Sequence, residues 1–385
     1  MNTDVVRRPR LPAVTSLRFF AAFHVALFHM KEMRVLTGPE WLVGFAGIGY
    51  VGVSFFFVLS GFILVYTYAG RDIVLGEFWQ TRFARIYPAY LFSLLLTFPF
   101  FYIGTHMFHV PFFAFGEQHF VLSAALVLLL LQAWVPPAAL MWNAVAWSLS
   151  VEAFFYAVFP FALKRFAKLS NTALAIIIPA CWLAGMAVSA GYLAMRPAGA
   201  LYVGSTDWSG AVQFVKFSPL VRLPEFLMGM ACGFLFIRSE RNPKLALPLM
   251  TAGVLGVVAT VVASRFVPYL VVHTAMSGPA FAAIVYGIAL EPKWASWLNN
   301  RLLVLFGDAS YSFYLLHSTV LGFFFYNWKT GQVRFNGPVG IVIWTVIMLT
   351  IASLVYRFIE EPARRKLRPR RDTRVLAKPS VAAAA

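Results

Sequence analysis

The sequence predicts an all-α integral membrane protein, a bundle of about ten transmembrane helices with one further re-entrant or tilted helix. Three observations carry that prediction. Of the 385 residues, 60% are hydrophobic and only 12% charged, with a mean hydropathy of +0.74; soluble domains run at about 45–50% apolar and about 25% charged. Apolar stretches of spanning length follow one another at 14–33, 49–68, 86–104, 119–135, 146–163, 172–194, 220–237, 245–264, 271–290, 308–327 and 338–358. Basic residues collect in the joints between them, as RDIVLGEFWQTRFAR, KRFAK, RSERNPK and EPKWASWLNNR, which marks those joints as cytoplasmic.

One group of stretches breaks the alternation. Between Arg85 and Lys164 lie three apolar stretches, yet both ends read as cytoplasmic, which demands an even number of crossings. The stretch 119–135 is expected not to span, because only PPAALMWN follows it and nothing there resembles a cytoplasmic joint. Both termini are then cytoplasmic. The joints GTHMFHVPFFAFGEQH and RPAGALYVGSTDWSGAVQFVKF fall outside and are the natural contributors to an outward-facing acceptor site.

The net charge of +17 matters through its placement. Arg7, Arg8 and Arg10 precede the first stretch, and Arg364, Arg365, Lys366, Arg368, Arg370, Arg371 and Arg374 follow the last. Such flanks bind anionic membrane lipid headgroups; without a basic soluble domain, a nucleic-acid partner is set aside. The chain divides into a basic N-terminus at 1–13, a membrane domain at 14–358 and a basic tail at 359–385. Its start is read as an uncleaved first helix, since no small-residue cleavage site ends the apolar run. Cys181 and Cys232 lie within apolar stretches with no metal or redox spacing, and read as small core residues.

Few residues in such a chain are equipped for chemistry. Arg18 and His29, eleven residues apart in the first stretch, share one helix face, with His29 about 16 Å further along the axis. An ionisable group at that depth is a functional candidate by default. His24 lies about 140° around the helix from His29 and reads as structural. Arg82 and Arg85, at i and i+3 in TRFARIYP, offer two guanidinium forks suited to phosphate oxygens; the other reading is anchoring at the membrane face. Glu152 stands inside WNAVAWSLSVEAFFYAVFP, where an insertion cost of about 2.5–3.5 kcal/mol requires partners. Ser148, Glu152 and Tyr156 form one polar stripe at i, i+4 and i+8, structural or catalytic. Glu225 reads as an ion pair with Arg222 at a helix mouth, and Asp308 as an N-cap. His317, nine residues beyond Asp308, falls on the opposite face of a shared helix and reads as structural. Ser60 and Gly61 interrupt VSFFFVLSGFILVY, where Gly permits close approach of a helix or a ligand. No Walker loop, GxSxG elbow, HExxH or dinucleotide fingerprint is present, and no His/carboxylate cluster has metal-ligand spacing. The constellation suits a phosphate-bearing donor approaching from the cytoplasm.

In order from about residue 11 to 368, TSLRFFAAFHVALFH, FFFVLSGFIL, RFARIYP, WSLSVEAFFYAVFP, RLPEFLMGMACG, GDASYSFYLLH and FIEEPARR resemble the integral-membrane acyltransferase family 3, which O-acylates sugars and other hydroxyls. The resemblance implies a catalytic base at His29, with Arg18 and Glu152 in the catalytic set. It implies an acyl-CoA donor, by default acetyl-CoA, whose phosphates rest on Arg82 and Arg85, with Ser60 and Gly61 in the SGF element beside them. Ser310, Tyr311 and His317 match its SYxxYLxH element, and Glu361 and Pro362 its EEP element. The sequence departs at Glu152-Ala-Phe-Phe-Tyr156, where the family often has Glu-Glu-Gln-Phe-Tyr, so a second carboxylate at position 153 is absent. No esterase-like domain follows the last helix, so acceptor selection is expected in the bundle and its outer loops. The expected acceptor is a surface or exported polysaccharide or a lipid-linked sugar, at the bacterial inner membrane. A small-molecule acceptor such as a macrolide, and a lipid-linked sugar transporter without acyl transfer, are the alternatives.

Overall fold

The computed structural model describes residues 8–195, 203–205, 207, 209–327, 332–333 and 337–369. Arg7, Arg370, Arg371 and Arg374 lie outside these, as does much of the 196–217 joint. Helix α1 covers Pro12–Glu32, α2 Glu40–Gly47, α3 Gly52–Tyr68 and α4 Leu75–His106. Short helices α5 (Ala114–Gln118) and α6 (Phe120–Leu128) follow, then α7 (Trp147–Phe166), α8 (Asn171–Ala194) and α9 (Gly210–Phe217). Next come α10 (Pro219–Arg238), α11 (Ala246–Ala263), α12 (Tyr269–His273) and α13 (Gly278–Ala289). The chain continues through α14 (Arg301–Asp308), α15 (Ser310–Phe325), α16 (Gly337–Val355) and α17 (Glu361–Leu367). A two-residue antiparallel ladder, β1 (Tyr326–Asn327) with β2 (Gln332–Val333), links α15 to α16.

Among the described residues, nine helical runs are long and apolar enough to cross a membrane. At 16 residues, α15 is about 24 Å long, and α14 almost continues it. With that segment the count of ten is met. The stretch 119–135 forms α6, nine residues or about 14 Å, then 3-10 turns at Gln132–Trp134 and Pro136–Ala138. That is less than half of a hydrocarbon core about 30 Å thick, so this stretch does not cross as one helix. The stretch 271–290 is broken at 274–277, between α12 and α13. Apolar side chains of α11 such as Leu247, Leu255 and Val262 are exposed, as expected of a helix wetted by lipid.

The centre is α3, which crosses α10 at van der Waals limits. A Cβ on Gly61 would overlap the Phe226 carbonyl, and one on Gly229 the Val58 carbonyl. Gly61 is therefore spent on helix packing, the first of the two approaches its sequence context allows. Phe155 stacks on Phe226 at 4.5 Å and meets Phe57 at 5.2 Å, locking α7 onto the same crossing.

Near the start of α10, Arg222 and Glu225 pair at 3.5 Å. They are not at an open mouth: exposures are 2% and 0%, because α9 and α12 close over the start of α10. All five guanidinium hydrogens find acceptors: the Lys216 carbonyl twice, at 2.9 and 2.7 Å, the His273 carbonyl at 2.8 Å, Glu225, and Nδ1 of His273. Arg222 thus ties three helices together. Arg222→Leu should lower stability by about 3–5 kcal/mol, since it strands a buried carboxylate; thermal unfolding in detergent measures this, and an unchanged midpoint would contradict it.

Candidate active site

One large cavity, of about 1110 Å³, opens at the end of the bundle where both basic flanks meet: Arg8 and Arg10 from the start of the chain and Arg364 and Arg368 from its end are on its wall. Eight arginines and five carboxylates line it. Arg18 (α1), Ser60 (α3), Arg82 and Arg85 (α4) and the whole stripe Ser148–Glu152–Tyr156 (α7) face this space. Helix α4 begins at Leu75, well before the apolar run at 86, so both arginines are held within a formed helix rather than at its fraying edge.

The wall is electrostatically built. Arg82 reaches the Tyr68 hydroxyl at 3.1 Å and lies over the rings of Tyr68, Phe78 and Tyr156 at 5.5–5.7 Å. Cation–π contacts of this kind hold a guanidinium without neutralising it. Its Nε, and that of Arg364, are buried with no protein partner among the described residues. Such donors cost about 1–3 kcal/mol each when unmet, and an anion in the cavity would satisfy them. The Tyr156 hydroxyl donates to Glu152. Arg18 and Arg85 repel each other and share the field of Glu152 and Glu360. Glu360 ends a π-helical turn, Tyr356–Glu360, that tucks its carboxylate inward onto the Ser312 hydroxyl at 2.8 Å; π-turns recur at functional sites.

Arg18 and His29 do not meet. They share a face, but the rise of the helix separates them, and no histidine is on the cavity wall. Arg18 instead shares the cavity wall with Arg82 and Arg85. Gly61 is likewise off the wall. The inner end of the cavity includes Phe56, Ser148 and Tyr314. Tyr314 donates to the Val145 carbonyl at 3.0 Å and receives the Ser148 hydroxyl at 2.9 Å. Its ring lies 5.7 Å from that of His317. Beyond that single aromatic layer, Nε2 of His317 stands 3.1 Å from Nδ1 of His29.

His317, read from the sequence as structural, is buried beside His29. The structure divides the segment into two helices at Ala309, so an angle counted from Asp308 does not carry over; Asp308 closes α14 and is no N-cap. Counted within α15, Ser310, Tyr314 and His317 at i, i+4 and i+7 share one face, a signal present in the sequence. His24 is structural as read, bonded to the Phe45 carbonyl at 2.8 Å and stacked on that ring.

Fold and site together define a polytopic membrane protein built around an anion-receptive cavity, with paired imidazoles behind its inner wall. Residues 11–357 match the model of the family described as "Acyltransferase domain", Acyl_transf_3. The chain is similar to "Acyltransferase MdmB" of Streptomyces mycarofaciens, 28% identical over 94% of this chain and 94% of that protein. It is also similar to "O-acetyltransferase OatA" of Staphylococcus aureus, 25% identical over 92% of this chain and 57% of that protein. "Peptidoglycan O-acetyltransferase OatA" of Listeria monocytogenes is 25% identical, over 94% of this chain and 57% of that protein. The chain thus spans little more than half the length of either OatA. No solved structure matches. The chain belongs to the acyltransferase family 3, and it is a membrane acyltransferase.

Proposed function

We propose that the chain moves an acyl group, acetyl by default, from cytoplasmic acyl-CoA to a hydroxyl of a surface or exported polysaccharide or a lipid-linked sugar at the bacterial inner membrane. The observation that carries this reading is the cavity itself. Arginines from both chain ends and from α1 and α4 surround it, buried guanidinium donors await an anion, and its wall ends at Tyr314, whose ring neighbours His317, the partner of His29. The diphosphate and ribose phosphate of CoA rest on Arg82, Arg85 and the arginines of the flanks. Arg18 steers the donor inward, and Glu152 with Tyr156 holds the arginines in place. The likeness to an O-acetyltransferase and to a peptidoglycan O-acetyltransferase supports an oxygen acceptor and a glycan. Family membership takes the place of the transporter alternative, while the small-molecule acceptor is an outcome of the test.

The chemistry needs one proton shuttle. His29 takes the proton of the acceptor hydroxyl as its oxygen attacks the thioester carbonyl. The C–O bond forms, the C–S bond breaks, and the departing CoA thiolate takes the proton back from His29. Imidazole suits both halves at neutral pH. Phe56 and Tyr314 must move aside for the thioester to pass from the cavity toward His29.

The test uses purified chain in lipid nanodiscs with acetyl-CoA labelled in its acetyl group. Cell-envelope glycan and a culture extract of small molecules serve as separate acceptors. Alkali-labile label on glycan supports the reading. Label only on the extract selects the small-molecule acceptor, and labelled thioester left intact with both overturns the proposal.

A further inference from the structure

We infer that His317 is a positioning residue for His29, fixing its tautomer so that Nε2 is the atom that accepts the hydroxyl proton; this rests on the general-base reading above. The argument is one of donors and acceptors. Nδ1 of His317 lies 2.6 Å from the Tyr314 carbonyl, and a carbonyl only accepts, so that nitrogen carries the hydrogen. A neutral His317 then has its lone pair on Nε2. Nδ1 of His29 lies 3.0 Å from the Val25 carbonyl, so it too carries a hydrogen, shared between that carbonyl and Nε2 of His317 at 3.1 Å. A hydrogen on Nε2 of His317 would set two N–H groups against each other. One consistent arrangement remains, and it leaves the lone pair of His29 on Nε2, which no protein group among the described residues engages.

The surroundings hold this arrangement. His317 is 0% exposed, and the Phe313 ring stacks on it at 6.3 Å, tilted by 12°. The backbone bond to Tyr314 prevents the ring from flipping. When Nε2 of His29 takes a proton, the imidazolium that forms donates its Nδ1–H to a nitrogen already in place. The bond becomes charge-assisted and stronger at the moment the charge appears. In serine hydrolases a carboxylate does this. At membrane depth a neutral imidazole avoids the standing cost of a buried anion.

A brace between α1 and α15 would also explain a buried histidine, and two substitutions separate the readings. In His317→Gln the amide oxygen lies as many bonds from Cα as Nε2 does and accepts the same hydrogen; His317→Leu cannot. With acetyl-CoA as donor and envelope glycan as acceptor, H317L should lower kcat on the order of 100-fold, the lower range of what a positioned base contributes. KM for acetyl-CoA should be unchanged, and H317Q should recover most of kcat. A brace instead predicts that H317Q fails along with H317L, with activity following the folded yield.

A second measurement needs no acceptor. In ¹⁵N-histidine-labelled chain in nanodiscs, NMR should show protonated Nδ1 and unprotonated Nε2 on His29, with a coupling across the N–H···N bond that H317L removes. Protonation of His29 at Nε2, or wild-type kcat in H317L, overturns the inference. If His29→Ala is inactive while H317L is normal, this inference alone falls. If His29→Ala is fully active, the general-base reading falls with it.

Discussion

Replacement of His29 by alanine should abolish acyl transfer to an acceptor while the protein still reaches the membrane and still binds CoA. General acid–base catalysis contributes about 10²–10⁴-fold, and no second imidazole stands ready, since Nε2 of His317 faces His29 itself. The loss should fall on kcat, because His29 is absent from the cavity wall on which the donor is proposed to rest. Labelled acetate on the acceptor, with CoA affinity measured on the same preparation, checks both halves. The fold should tolerate the change. His29 is only partly buried, and the bonds lost are those of one ring nitrogen, to His317 and to the Val25 carbonyl of its own helix. Full transfer at normal expression would remove His29 from the mechanism and leave the imidazole pair as packing.

How much of this was legible depended on whether the signal survived local helix breaks. The polar stripe of α7 read correctly because Ser148, Glu152 and Tyr156 lie on one uninterrupted helix, and all three face the cavity. The odd stretch 119–135 yielded to counting crossings, which needs no side-chain geometry. The EEP element puts Glu361 on the cavity wall, while the preceding Glu360, at the end of a π-turn, is buried against Ser312, a placement that helical periodicity alone does not give. Arg18 and His29 were correctly placed on one face, yet periodicity constrains angle, while proximity also depends on rise. The beginning of α4 escaped because Glu77, Arg82 and Arg85 make its first turns look like a joint; tertiary contacts, including the aromatic cage around Arg82, supply what hydropathy does not show.

Loss of both Arg82 and Arg85 should weaken CoA binding far more than loss of any other pair on the wall. A hydrogen bond to a charged group is worth about 1.5–3 kcal/mol. Two guanidinium groups, each making at least one such bond to phosphate, therefore predict a rise in Kd on the order of 10²–10⁴-fold for the Arg82→Ala, Arg85→Ala double variant. The single variants should differ in kind. Arg82 is caged by three rings and keeps a buried Nε in want of an acceptor, so its removal costs ligand bonds and little else. Arg85 sits in the field of Glu152 and Glu360, so its removal also takes away one of the cations that face those carboxylates, Arg18 and Arg364 remaining near Glu360, and should lower thermal stability in the absence of ligand. Titration calorimetry with CoA and with CoA lacking the ribose 3′-phosphate separates the roles: the arginine that holds that phosphate should lose its effect on the truncated ligand. A double variant that binds CoA like the parent would make these arginines anchors at the membrane face, and the donor would have to be held by Arg8, Arg364 and Arg368 instead.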